Sequence, residues 1–250
     1  MRIRDFNRWQ AFGWHFSLST LLGLAIFLLF RYLWYPGALW DLSGAGKLLL
    51  LVVGVDVTLG PLLTLIVFNP KKKSLPLDLA AIVLVQTAAL AYGVWVMAQS
   101  RPVFLVGVVD RIEIVSASEL DPASLGKARP EYQQLSWTGP ILIGSVTDLP
   151  GNDRFQITMD ALSGGADVHQ LADHYVPFAQ VADVIAARGL SLTDLKARAS
   201  EPSVVSLAAR MGDHSFSQKA RAVALRGRTG FGTAIIESDH IVATTVDDIW

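Results

Sequence analysis

GVDVTLGPLLTLIVF, residues 54–68, is an apolar run with a carboxylate inside it. It closes a longer apolar stretch that begins near Leu48, about 20 residues in all, which is enough to cross a hydrocarbon core as a helix. Asp56 stands near the middle of that stretch, and Gly60 and Pro61 follow it. A charge at bilayer depth costs about 3 kcal/mol on insertion scales, so such a side chain turns toward protein or water. Gly54, Thr58 and Gly60 recur near Asp56 at roughly helical spacing and form a smooth strip. Pro61 removes one backbone hydrogen bond and can bend the helix. The strip serves either packing within this chain or a partner helix. Asp56 likewise either pairs with a polar group on a neighbouring span or contacts a partner.

Two more apolar runs accompany it, giving predicted transmembrane helices at about 11–34, 48–68 and 77–98. The first resembles a signal peptide at its basic start, Arg2, Arg4 and Arg8, but its run is too long and no small-residue cleavage site follows. It reads as an uncleaved anchor. Lys71, Lys72 and Lys73 sit between the second and third runs, while the opposite connection has only Lys47 and Asp41. The positive-inside rule then puts the N-terminus and the tri-lysine loop in the cytoplasm and residues 101–250 in the periplasm. Tyr32, Trp34, Tyr35 and Trp40 at one end of the first span, and Tyr92 and Trp95 in the third, match interfacial belts. Arg31 is placed to snorkel, His15 to sit among headgroups, and Gln86 and Thr87 to hydrogen-bond between helices.

The chain of 250 residues is 52% hydrophobic, and its charge is split. Residues 1–100 hold 8 Lys/Arg against 4 Asp/Glu, and residues 101–250 hold 13 against 18. The predicted fold class is a membrane protein: a membrane domain over 1–100 with three transmembrane helices, and a periplasmic α+β domain over 101–250 with a mainly antiparallel sheet. Strands are predicted at 103–109, 111–115, 141–146, 154–159, 220–226, 232–238 and 240–246. Asp121 is a predicted N-cap before Pro122, residues 148–153 a turn, and residues 179–188 a helix closed by Gly189. A second helix is predicted from Ser191 to about Ala199, with Pro202 as its stop signal. Ser238 and Asp239 suit a tight hairpin without the usual glycine.

The sequence lacks the marks of several chemistries. There is no cysteine, so thiol catalysis, disulfides and thiolate metal sites are excluded. No nucleophile elbow, phosphate loop, dinucleotide fingerprint or HExxH appears, and no concentrated basic patch points to nucleic acid. Asp167, His169, Asp173 and His174 fall close together, but their spacing fits no metal site pattern, and a solvated polar loop is expected. An intramembrane aspartyl protease needs two facing carboxylates, whereas Asp56 stands alone at depth. No enzymatic activity and no cofactor are expected.

Four blocks together carry a resemblance: Arg8-Trp9-Gln10-Ala11-Phe12-Gly13; Trp34-Tyr35-Pro36-Gly37; Gly54-Val55-Asp56 running on through Leu59-Gly60-Pro61 to Phe68; and Arg101-Pro102-Val103-Phe104-Leu105 leading to Val109-Asp110-Arg111. The chain resembles the TfpX/TfpZ family of type IV pilin accessory proteins. The likeness covers the membrane part and the start of the following domain. Past about residue 120 it rests on strand patterning and on Leu225-Arg226-Gly227-Arg228 and Asp247-Asp248-Ile249-Trp250.

The resemblance implies an inner-membrane chaperone or assembly modulator for one type IV pilin subunit, with the lipid bilayer as its other partner. It further implies candidate partner-binding residues within or beside these blocks: Asp56, Thr58, Gly60 and Pro61 on the second span, Arg31, Tyr35, Pro36 and Gly37 after the first, and Arg101, Asp110 and Arg111 after the third. The alternative from a different class is a membrane-anchored periplasmic ligand-binding or sensor protein. Its cytoplasmic side is short, which leaves little to carry a signal.

Overall fold

The computed structural model describes residues 6–146, 149–197, 201–211 and 217–250. The chain separates into two compact units: residues up to Tyr32 with Ala45–Gln99, and Leu33–Gly44 with Ser100–Trp250.

The first unit is three long helices, α1 (Arg8–Leu29), α3 (Ala45–Val67) and α4 (Leu75–Gln99). A short helix, α2 (Leu39–Leu42), lies between the first two in sequence and belongs to the second unit. Asn7 opens α1 with a full capping box, exchanging hydrogen bonds with Gln10. A π-helical turn, Phe30–Trp34, continues α1, so the first candidate span runs to Trp34. All three helices are long and apolar enough to cross a membrane, and most of their surface is open to the surroundings, as lipid-facing surface must be. α3 is the middle helix, packed against both α1 and α4. Glycines set the approach: a Cβ on Gly23 of α1 would overlap Val53 of α3, and one on Gly93 of α4 would overlap Val52.

The second unit is a mixed, mostly antiparallel sheet with helices, in the spatial order β4-β3-β1-β2-β6-β7-β8. The strands are β1 (Pro102–Val108), β2 (Arg111–Ser116), β3 (Ile141–Ser145), β4 (Tyr175–Pro177), β5 (Leu190–Ser191), β6 (Arg221–Gly227), β7 (Gly230–Glu237) and β8 (His240–Thr245). Among the described residues, only β1 with β3 and β2 with β6 run parallel; β5 pairs with the free end of β6 beside β2. β1 is buried along its whole length because both faces are covered, which is why PVFLVGV does not alternate. Phe104, Val106 and Val108 face one core with Tyr132, Ile143 and Tyr175. Leu105 faces the other core with Ile112, Ile185, Val223 and Leu225.

The helices of this unit are α5 (Pro122–Leu125), α6 (Pro130–Gln133), α7 (Gly151–Leu162), α8 (Ala182–Arg188), α9 (Leu192–Ala197) and α10 (Pro202–Met211). Asp121 caps α5 through Ser124 N–H, and Gly189 follows α8. Ser238 takes a left-handed conformation, φ 58°, in the two-residue turn between Glu237 and His240.

Three expectations fail. Residues 154–159 are helical, inside α7. RFQITM alternates like a strand, but Phe155, Met159 and Leu162 also repeat at helical spacing, and a short apolar run cannot choose between the two. The turn predicted at 148–153 gives way to the start of this helix from Gly151; Asp148 lies outside the described residues. The helix predicted from Ser191 is α9, Leu192–Ala197, with residues 198–200 outside the described residues, and Pro202 starts a further helix, α10, at its first position, where a missing N–H costs nothing. Finally, Trp34 and Tyr35 do not sit in an interfacial belt; both are buried in the second unit.

The units part at residue 100, and the second unit also takes in residues 33–44. Residues 33–44 are more than a connection, because Ala38, Leu39 and Leu42 join the core formed by β6 and β7. Thr229 clamps them, its N–H donating to Leu42 O at 3.0 Å and its hydroxyl to Asp41 O at 2.8 Å.

Candidate functional site

Within the first unit, the residue that demands an explanation is Asp56, at the midpoint of α3. Gln86 of α4 reaches it: Gln86 Nε2 donates to Asp56 Oδ1 at 3.1 Å and to the Asp56 backbone oxygen at 3.1 Å. Gly60 makes this possible, since the Gln86 amide lies where a Gly60 Cβ would be. Gly60 and Pro61 are both buried, so that part of the strip serves internal packing. Thr58 is exposed and donates back to Gly54 O at 2.6 Å, a local bond that satisfies its hydroxyl. One turn past Pro61, buried Thr64 meets His15 of α1, with Oγ1 and Nδ1 2.6 Å apart. His15 is therefore tied to α3.

The polar groups share one cleft. His15 and Ser19 of α1, Asp56 of α3, and Gln86 and Thr87 of α4 line a cavity of about 120 Å³ with Leu22 and Leu90. Gln86 Oε1 is buried there without a hydrogen-bond partner.

The other predicted residues divide. Arg31 lies in the π-helical turn with its guanidinium 5.9 Å from the Tyr32 ring. Tyr35 and Arg101 come together in the second unit. Arg101 is buried, donates through Nε to Ser136 O at 3.1 Å, and stacks on Trp137 at 3.9 Å from the ring centroid. Trp34 stands beside them, donating through Nε1 to Trp137 O at 3.0 Å. Burial raises the Tyr35 pKa, with Arg228 and Arg101 pulling it down less strongly, and burial lowers that of Arg101. Pro36 and Gly37 are exposed, Gly37 with φ 59°, and they turn the chain into α2. Asp110 and Arg111 lie at the other end of the β1–β2 hairpin, where Arg111 and Arg226 flank the buried Glu113 carboxylate at 3.1 and 3.4 Å.

Two groups were not legible as site residues. Trp137 sits in a polar stretch, and nothing in sequence ties it to Arg101. Glu119 and Arg228 pair at 3.0 Å across a long separation. The Asp167–His174 segment is held by a local cap and by a distant bond: Asp167 caps Val168 N–H, and Asp173 accepts from Ser124 Oγ of α5.

No family model matches the chain, and no solved structure does. Curated relatives do. "Fimbrial assembly protein, serogroup I" of Dichelobacter nodosus is 28% identical over 239 residues, covering 94% of this chain and 93% of that protein. "Fimbrial assembly protein, serogroup E1" of the same organism is 37% identical over 133 residues, 52% of each chain. "Fimbrial assembly protein, serogroups C1 and C2" is 36% identical over 110 residues, which cover 43% of this chain and 84% of that relative. With a similarity that runs nearly end to end in one relative and spans most of another at over a third identity, the chain belongs to the family of fimbrial assembly proteins.

Proposed function

We propose that the chain is an inner-membrane accessory protein of the TfpX/TfpZ type, a chaperone or assembly modulator for one type IV pilin. In this reading the N-terminus is cytoplasmic, the second unit is periplasmic, and the protein binds pilin through its membrane helices and its periplasmic domain. It works by binding, not by catalysis. The observation that carries the reading is the similarity to fimbrial assembly proteins over nearly the full length. The three candidate spans and the polar residues within them support it, since a protein that assists a membrane-held subunit needs a face inside the bilayer.

The test is co-purification of the full chain with the type IV pilin of the same cell, paired with deletion of the chain and a count of surface pili. The reading expects pilin to co-purify and piliation to drop. No pilin with the chain and unchanged piliation would end it. Fusions of alkaline phosphatase after residue 250 should be active, and fusions in the tri-lysine loop inactive.

A second reading, a membrane-anchored ligand-binding protein, draws on a cleft of about 390 Å³ in the second unit. Val109, Ile157, Arg154, Arg188 and Asp167 line it. A saturable rise in melting temperature with an anionic small molecule, lost in Arg188→Ala, would favour it.

A further inference from the structure

We infer that the cleft between α1 and α4 receives the side chain of a fourth transmembrane helix, one that carries a hydrogen-bond donor at mid-membrane depth and apolar residues on either side. The inference rests on the proposed function for the identity of the client, a pilin, and adds where in the membrane that helix lies and what it must carry.

Three observations lead there. α1 and α4 each pack on α3 but scarcely touch each other, so α3 floors an open cleft between them. The cleft is apolar at its walls, with Leu18, Leu22, Val83 and Leu90, and polar at its centre. Its volume of about 120 Å³ admits a side chain but not a helix backbone.

The centre is short of donors. Asp56 Oδ1 accepts from Gln86, while Asp56 Oδ2 has no hydrogen-bond partner among the described residues. Gln86 Oε1 is a buried acceptor without one. Lipid tails offer no donor, so an acceptor-rich centre facing them keeps a standing desolvation cost. A hydroxyl, amide or cationic group from a fourth helix removes that cost, and an all-apolar helix does not. This selects a client helix by its central residue as well as by its shape.

The chain has no cysteine, so single-cysteine variants of the full-length protein can be mapped without background. Cysteines at Leu22 and Val83, on the cleft walls, and at Leu51 and Leu62, on the far side of α3, are paired with a cysteine scan of the pilin helix in native membranes. The expected result is disulfide capture of pilin from 22 and 83 only, centred on a donor-bearing residue. Asp56→Leu should cut that capture about threefold to tenfold, while Asp56→Asn should cut it less. Equal capture from both faces of α3, or capture insensitive to Asp56→Leu, overturns the inference. So does a cleft that captures only a second copy of this chain, or that captures nothing while pilin still co-purifies; both leave the pilin reading standing. Loss of co-purification altogether sinks the reading and the inference together.

Discussion

At the residue scale, Asp56 and Arg101 each meet a defined partner, Gln86 in the first unit and Trp137 in the second. Arg101 is the case in the second unit: a buried guanidinium held by a backbone carbonyl and one aromatic face. Arg101→Ala removes both and should destabilise the second unit by about 2 kcal/mol, seen as a lower melting temperature in detergent. Arg101→Lys should recover only part, because an ammonium does not lie flat on Trp137. Glu119 supplies a pH handle. Burial works against its carboxylate, but the Ser116 N–H and hydroxyl and the Arg228 guanidinium outweigh it and hold the pKa below the ordinary glutamate range. A lowered folded pKa means the stabilisation is complete above about pH 4.3, the unfolded value, and is lost as pH falls through the lower folded one. Melting of Glu119→Gln should therefore match the parent at the acid end and fall short of it at pH 7.

At the element scale, the packing of α3 on α4 depends on a residue without a side chain. Gly60→Ala places a methyl group inside the Gln86 amide and should cost about 1–3 kcal/mol of helix packing, read as faster loss of fold in detergent. Gly60→Ala combined with Gln86→Ala should regain part of that loss, since the clash goes with the amide. Asp56 was legible from sequence as an acidic group needing a partner, and Gln86 as an interhelical hydrogen bonder. Their pairing was not legible, because it depends on the rotation of two helices about their axes. The soluble elements show the same limit. β1, β2, β3 and the final three-strand meander follow from runs of β-branched residues and from turn chemistry. α7 was hidden because a six-residue alternation fits two periods, and α10 because a proline is both a terminator and a good first residue.

At the scale of the whole molecule, the order of the chain and the order of the units do not coincide. Residues 33–44 leave the first span and enter the core of the second unit, so that unit is assembled from two separated segments. A fragment starting at residue 100 lacks Leu39 and Leu42 and should melt well below the corresponding transition of the full chain. Leu42→Ala in the full chain should destabilise the same transition by about 3 kcal/mol, because the side chain is buried against β6 and β7. Equal melting of fragment and full chain would mean that the inserted segment contributes no stability.

The sequence by itself determined three helices long and apolar enough to cross a membrane, a C-terminal α+β domain, and one acidic residue at the middle of the second of those helices, because hydropathy and periodicity are properties of neighbours along a chain. Only the tertiary structure decided that Gln86 meets Asp56, that Thr64 holds His15, that Trp137 covers Arg101, and that residues 33–44 complete the second core. Each of those joins residues far apart in sequence, and their meeting is set by helix rotation and strand order, which no local pattern records.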